Sequence, residues 1–172
     1  AAEPGYFATT GSIEQTKCAK GTFTDASITV KDKCTACAGG KYQDAEGETA
    51  CKACDEGSYC PAGAAAALPC AAGTFSNTPG LTSPSECDDC PAGSACGTGV
   101  TAPTACAPGT FTASDKQPKC DDCPGGFFQD LSGATACKNC TDGDYCAAGA
   151  AAPLPCPGGT HGDATLPYMT TK

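Results

Sequence analysis

The chain has 172 residues, yet Ile, Val, Leu, Met and Phe together supply only 16 of them, and there is no Trp. That falls well below the roughly 20% aliphatic and aromatic content a packed core needs, so an ordinary hydrophobic core is excluded and cross-links must offset chain entropy. Nineteen carboxylates against ten lysines and no arginine give a formal charge of −9. This balance excludes a surface for nucleic acid or anionic membranes, and it removes the bidentate clamp that phosphate sites use.

In chain order, the first residues AAEPGYF show neither a basic nor an apolar leader and read as the start of a processed form or a fragment. Pro4-Gly5-Tyr6-Phe7 begins like the loops that follow, but Ala2 stands where they carry cysteine, so residues 1–17 read as a degenerate first loop. From Cys18 onward two kinds of loop alternate. Long loops open with Cys-x-x-Gly and close at a cysteine after 13 to 16 intervening residues; they begin at Cys18, Cys37, Cys70, Cys106 and Cys123. Their glycines (Gly21, Gly40, Gly73, Gly109 and Gly126) are expected at positive φ. Short strands are expected just after, at Thr22–Asp25, Lys41–Gln43, Thr74–Ser76, Thr110–Thr112 and Phe127–Gln129. Each long loop then reads as a ragged β-hairpin returning to its closing cysteine.

Short loops hold five residues between cysteines: Cys54–Cys60, Cys90–Cys96 and Cys140–Cys146. An Ala/Gly/Pro connector follows each, expected to be extended because Leu68-Pro69, Pro103, Pro153 and Leu154-Pro155 disfavour helix. The run Ala64–Ala67, between Gly63 and Pro69, is too short for a stable helix. Residues 34–74 and 120–160 align without a gap, with 25 of 41 positions identical and every cysteine matched. The expected units are therefore 18–69, a shortened repeat 70–105, 106–155, and the start of another repeat at 156–172.

Cysteine at this density reads as a disulfide scaffold and points to an oxidising, extracellular compartment. A bridge closing a loop of about 15 residues contributes roughly 3 kcal/mol in the loop-entropy model. Sequence-local pairing gives Cys18–Cys34, Cys37–Cys51, Cys54–Cys60, Cys70–Cys87, Cys90–Cys96, Cys106–Cys120, Cys123–Cys137 and Cys140–Cys146. Spacing alone leaves interlaced pairs across the Cys-x-x-Cys junctions open. Cys156 is left unpaired within the chain; the loop it opens would close between positions 170 and 173, which points to a partner just after Lys172 and to a longer repeat protein.

Other chemistries fit less well. Cys34, Cys37, Cys51 and Cys54, and their counterparts Cys120, Cys123, Cys137 and Cys140, have the spacing of four-cysteine zinc sites, but the middle unit does not reproduce the quartet. The Cys-x-x-Cys pairs lack the strand–helix–strand setting of a redox catalyst. His161 is the only histidine and stands where other repeats place an aromatic, so it reads as a substituted hairpin position rather than a base. Asp88/Asp89, Asp121/Asp122 and Asp142/Asp144 offer oxygen ligands for calcium without a spaced binding loop. Asn139-Cys140-Thr141 is the one N-glycosylation sequon, and Thr78–Ser85 and Thr98–Thr104 are candidate O-glycan stretches. No run of 18 apolar residues spans a bilayer. No catalytic residue, metal ligand or cofactor site is assigned.

The Cys-x-x-Gly-Thr-Phe strings, the Cys-x-x-Cys junctions and the element from Gly57 to Phe75 resemble ephrin-receptor-like cysteine-rich repeats, such as occur in mastigoneme-type and other surface proteins of protists and algae. Tumour-necrosis-factor-receptor modules share the opening hairpin but lack the alanine-rich connector and the short loop. The resemblance covers residues 5–160 and implies a non-catalytic extracellular spacer. The expected fold is small and disulfide-rich, an elongated tandem array of short β-hairpin loops with little or no helix. The expected role is a stiff structural or assembly module at the cell surface, of a filament or flagellar coat, meeting copies of itself, neighbouring coat proteins or glycans. A ligand-binding receptor or adhesin ectodomain is the alternative, and an intracellular zinc module the third reading.

Overall fold

The computed structural model describes residues 2–29 and 31–158. Its elements form nine two-stranded sheets, each from consecutive strands. The first four hairpins pair β1 (Tyr6–Phe7) with β2 (Thr16–Lys17), β3 (Thr22–Phe23) with β4 (Thr35–Ala36), β5 (Lys41–Tyr42) with β6 (Lys52–Ala53), and β7 (Ser58–Tyr59) with β8 (Leu68–Pro69). The fifth and sixth pair β9 (Thr74–Phe75) with β10 (Asp88–Asp89) and β11 (Ser94–Ala95) with β12 (Thr104–Ala105). The last three pair β13 (Thr110–Phe111) with β14 (Asp121–Asp122), β15 (Phe127–Phe128) with β16 (Lys138–Asn139), and β17 (Asp144–Tyr145) with β18 (Leu154–Pro155). One 3-10 turn, Pro84–Glu86, is the only helical element among the described residues. The expected disulfide-rich array of short hairpins is what the chain adopts.

Two expectations about the hairpins need correction. The return strand does not lie inside the disulfide loop: in the second hairpin Phe23 faces Thr35, one residue past Cys34, so the two residues inside Cys34-x-x-Cys37 are the return strand. Nor are short loop and connector separate things. Tyr59 of the short loop pairs with Leu68 of the connector, and Tyr145 with Leu154, making hairpins of the same design. The expected strands of three or four residues shorten to two. Residues 1–17 hold a full hairpin too, with Tyr6 opposite Lys17 and Ala2 buried at the cysteine position.

The chain divides into two compact units, one of Ala1–Ala71, Ser76–Asp88 and Gly99–Thr101, the other of Ala72–Phe75, Asp89–Thr98 and Ala102–Lys172. In the first unit each hairpin bonds to the next. Gly21 N donates to Gln43 O at 2.7 Å and Gly40 N to Cys60 O at 2.8 Å; Gly47 N reaches Cys18 O at 2.8 Å and Gly63 N reaches Cys37 O at 2.7 Å. The second unit repeats this, with Gly109 N on Gln129 O at 2.7 Å and Gly133 N on Cys106 O at 2.8 Å. The opening glycine makes such close stacking possible. Gly21 has φ +80°, and a Cβ there would stand 2.2 Å from the carbonyl oxygen of Gly63, two hairpins on. Only glycine meets both demands.

The core is sulfur with small apolar caps. Cys18, Cys37, Cys54, Cys70, Cys90, Cys106 and Cys123 are buried, and few large side chains join them. Tyr42 of the third hairpin packs against Cys54, Cys60 and Ala64 of the fourth, and Tyr59 of the fourth against Cys70, Leu81 and Cys87 of the fifth. In these two hairpins the ring after the glycine covers the next hairpin's disulfide and turn.

Candidate functional site, a two-rung disulfide ladder

Each hairpin from the second to the ninth begins with a cysteine three residues before its glycine, and that base cysteine has two places to find a partner. One lies just after the first strand, the other just before the return strand. Because Phe23 faces Thr35, the next step of the ladder sets Thr24 opposite Cys34; because Tyr59 faces Leu68, it sets Cys60 opposite Ala67. The structure joins Cys18–Cys34, Cys37–Cys51, Cys70–Cys87, Cys106–Cys120 and Cys123–Cys137 through the return-strand rung. It joins Cys54–Cys60, Cys90–Cys96 and Cys140–Cys146 through the first-strand rung. Cα separations of 5.6–6.0 Å hold for both kinds, within the range a relaxed disulfide spans. Cys156 is free and half-buried, and the positions at which its loop would close, like His161, lie outside the described residues.

Where sulfur takes one rung, a defined residue takes the other. Opposite Cys60, Cys96 and Cys146 stand Ala67, Pro103 and Pro153, which ask for no partner. Opposite the closing cysteines stand Thr24, Gln43, Ser76, Thr112 and Gln129, the buried polar residues among those described, all at 4% exposure or less. Burying a polar group is tolerated only when it is bonded, and these are. Gln43 donates from Nε2 to Ala50 O at 2.6 Å and accepts from Ala45 N at 3.0 Å, tying its own turn. Gln129 does the same with Ala136 O and Leu131 N. Thr24 donates to Tyr6 O of the preceding hairpin at 3.0 Å and lies 3.7 Å from Cys18 Sγ. Reading the chain by its cysteines missed these five residues. Aligning it by Gly-x-aromatic brings them into one column with Cys60, Cys96 and Cys146.

A second device repeats in the hairpins that carry glutamine. Lys52 Nζ lies 2.6 Å from Asp44 and 5.9 Å from the centre of the Tyr42 ring; Lys138 bridges Asp130 and sits 5.8 Å from the Phe128 ring. Hydrogen bonding to Lys52 holds the Asp44 carboxyl below its ordinary range and raises the lysine, and the hydrogen bond from Lys138 likewise lowers Asp130. The Ser27 hydroxyl lowers Asp25, and the Thr82 hydroxyl lowers Glu86.

The remaining candidates do not converge. Cys34, Cys37, Cys51 and Cys54 belong to three different disulfides, as do Cys120, Cys123, Cys137 and Cys140, so neither quartet offers four thiolates. Asp88 and Asp89 are successive residues of β10, and Asp121 and Asp122 of β14; successive strand residues point to opposite faces. Asp144 accepts from the Thr141 hydroxyl. Asn139 is exposed on β16, and Cys140 at the centre of its sequon is bridged. No helix among the described residues is long and apolar enough to cross a membrane.

Residues 109–152 match a family model described as tyrosine-protein kinase ephrin type A/B receptor-like. The match starts at the opening glycine of the seventh hairpin and ends in the turn of the ninth, so it takes in one long bridge, Cys123–Cys137, and one short, Cys140–Cys146, with Cys120 bridged to Cys106 just outside it. No curated protein matches the chain. That repeat and eight disulfides mark an extracellular or cell-surface module. Over residues 109–152 the chain is an ephrin-receptor-like cysteine-rich repeat.

Proposed function

We propose that this chain is a stiff, disulfide-stapled rod serving as a structural or assembly module of an extracellular filament or cell-surface coat, with a flagellar coat as one such setting. The observation that supports it is the backbone hydrogen bonding of each hairpin to the next within each compact unit, with every hairpin from the second to the ninth closed by sulfur. An array joined in this way resists bending and proteolysis and presents the same backbone surface repeatedly, which suits lateral contacts with copies of itself or with other coat proteins. Its boundaries are taken at 18–69, 70–105, 106–155 and 156–172, and Asn139 is its candidate glycan site.

Small-angle scattering tests the rod. A globule of this length would give a radius of gyration of about 16 Å. The rod requires a clearly larger value, and one near the globular figure refutes it. The alternative, a ligand-binding receptor or adhesin ectodomain, draws support from two clefts in the first three hairpins. One of about 440 Å³ is lined by Thr9, Ser12, Glu14, Gln15 and Lys31; one of about 330 Å³ by Phe23, Asp25, Ala36 and Lys41. Electron microscopy of native material separates the two readings: ordered filaments or sheets favour the assembly module, dispersed single molecules the receptor.

A further inference from the structure

Eight of the nine hairpins place Phe or Tyr at the second residue of the first strand, and the sixth places Ala95 there. Tyr42 and Tyr59 show what the ring does: it packs on the following hairpin's disulfide and turn. The junction between the sixth and seventh hairpins lacks that packing. Polar contacts remain there, the Thr112 bond to Ser94 being one that Thr24 also makes, to Tyr6, at the first junction, where a ring is present. The Thr112 hydroxyl donates to Ser94 O at 3.2 Å and accepts from Gly93 N at 2.7 Å. Asp115 accepts from Ala92 N at 2.8 Å, and Lys116 of the seventh hairpin reaches past the sixth to form an ion pair at 3.1 Å with Asp89, on the return strand of the fifth.

The contact particular to this region, the Lys116–Asp89 pair, is weaker than a ring. Lys116 and Asp89 are both more than half exposed, so water and salt screen the pair. Lys52–Asp44 and Lys138–Asp130 each lie within one hairpin, so Lys116–Asp89 is, among the described residues, the ion pair that joins two. Lys116 is also the one described non-glycine residue in the left-handed region, at φ 63°. Its counterparts, the turn residues that stack on the opening glycine two hairpins back, are Gly47, Gly63, Gly80, Gly99, Gly133 and Gly149. A lysine there carries a backbone strain that glycine avoids.

We propose that the array has a built-in opening point between the sixth and seventh hairpins, where it yields before the flanking junctions do and uncovers the Cys106–Cys120 bridge. The ring is missing at this junction, and the seventh hairpin's other ties beyond it, the screened Lys116–Asp89 pair and the strained Lys116 turn on Gly73, both reach the fifth hairpin and open with it. The device holds whether the module is a spacer or a receptor.

Residue-resolved amide exchange on the oxidised full chain tests it. Gly93, Cys96 and Lys116 donate across the weak junction, to Thr112, Gln117 and Cys90. Gly109, Thr112 and Gly133 make the matching bonds across the next one, to Gln129, Ala134 and Cys106. The first set is expected to exchange roughly tenfold faster, the ratio that ~1.4 kcal/mol produces. Ala95→Phe should bring the two sets together; Ala95→Leu, a smaller change that serves if the phenylalanine variant does not fold, should narrow the gap. Raising salt to about 0.5 M should speed the first set about twofold and leave the second unchanged, since only the first depends on a screened pair. Equal rates in the unmodified protein, or a gap that both Ala95 variants leave untouched, would overturn the proposal.

Discussion

The third and fourth hairpins stand next to each other and share one backbone frame, yet they are closed in different ways. In the third, Cys37 reaches across to Cys51, 14 residues on, and Gln43 fills the opposite rung. In the fourth, Cys54 reaches only to Cys60, six residues on, and Ala67 stands opposite. Both open with a glycine at positive φ and both hand the same backbone bonds to their neighbours. The frame is therefore set by glycine, an aromatic and backbone stacking. The sulfur closes a hairpin whose shape does not depend on which rung it takes.

The largest effect comes from removing sulfur from both kinds of hairpin at once. Complete reduction should abolish amide protection throughout, because nothing apolar of comparable extent remains to hold the chain. A chelator in place of the reductant should change nothing. Alkylation without reduction should label at most one cysteine; four or more labelled would sink the disulfide reading and revive the zinc one.

Removing one bridge at a time sharpens the comparison. Loop entropy predicts that losing Cys37–Cys51 to paired alanines costs about 3 kcal/mol and losing Cys54–Cys60 about 2 kcal/mol, since the shorter loop constrains the unfolded chain less. Local unfolding free energies from amide exchange measure both. A larger loss at the short bridge would mean that sulfur packing, rather than loop closure, dominates.

The frame can also be tested by exchanging the rungs. Cys60→Gln with Ala67→Cys gives the fourth hairpin the pattern of the third. The expected product is a folded chain in which Cys54 is bridged to the sulfur introduced at position 67. Peptide mapping under non-reducing conditions reads it directly. Cys54 recovered as a free thiol would show that something beyond the shared frame specifies the partner.

This exchangeability also explains what the sequence made legible. Cysteine spacing revealed the repeat and its class, and Gly21, Gly40, Gly73, Gly109 and Gly126 stand at positive φ as their place after Cys-x-x requires. The start of each first strand was readable because an aromatic follows the glycine. The return strands were not. Thr35–Ala36, Asp88–Asp89 and Asp121–Asp122 carry no strand-forming pattern, being two exposed residues caught between cysteines. They are strands only because the ladder from the preceding aromatic reaches them. The polar plugs were hidden for a related reason: a buried Gln or Thr looks like any surface residue until the register sets it opposite a cysteine. Ala95 reads as unremarkable for the same cause, since its meaning lies in the ring that the other hairpins have there.

The smallest expected effect concerns charge, and it distinguishes the third and eighth hairpins from the fourth. Asp44 is held below its ordinary pKa chiefly by the hydrogen bond from Lys52, and Asp130 chiefly by that from Lys138. A carboxyl depressed by folding adds stability above its unfolded pKa and loses it as pH falls through the folded value. Both hairpins should therefore hold their stability from neutral pH down to the ordinary carboxylate range and weaken only below it. Lys52 runs the other way: raised by Asp44, it contributes below the ordinary lysine pKa and loses that contribution only in strong alkali. All these groups are exposed, so the changes should be slight beside any disulfide effect. Amide exchange at Tyr42 and Phe128, set against Tyr59 in a hairpin without such a pair, makes the comparison between neutral pH and about pH 3, below the ordinary carboxylate range. A rise in opening confined to the third and eighth hairpins is the expected result, and Lys52→Met should remove it from the third alone. An equal rise in all three hairpins would assign the acid response to something other than these two lysine–aspartate pairs.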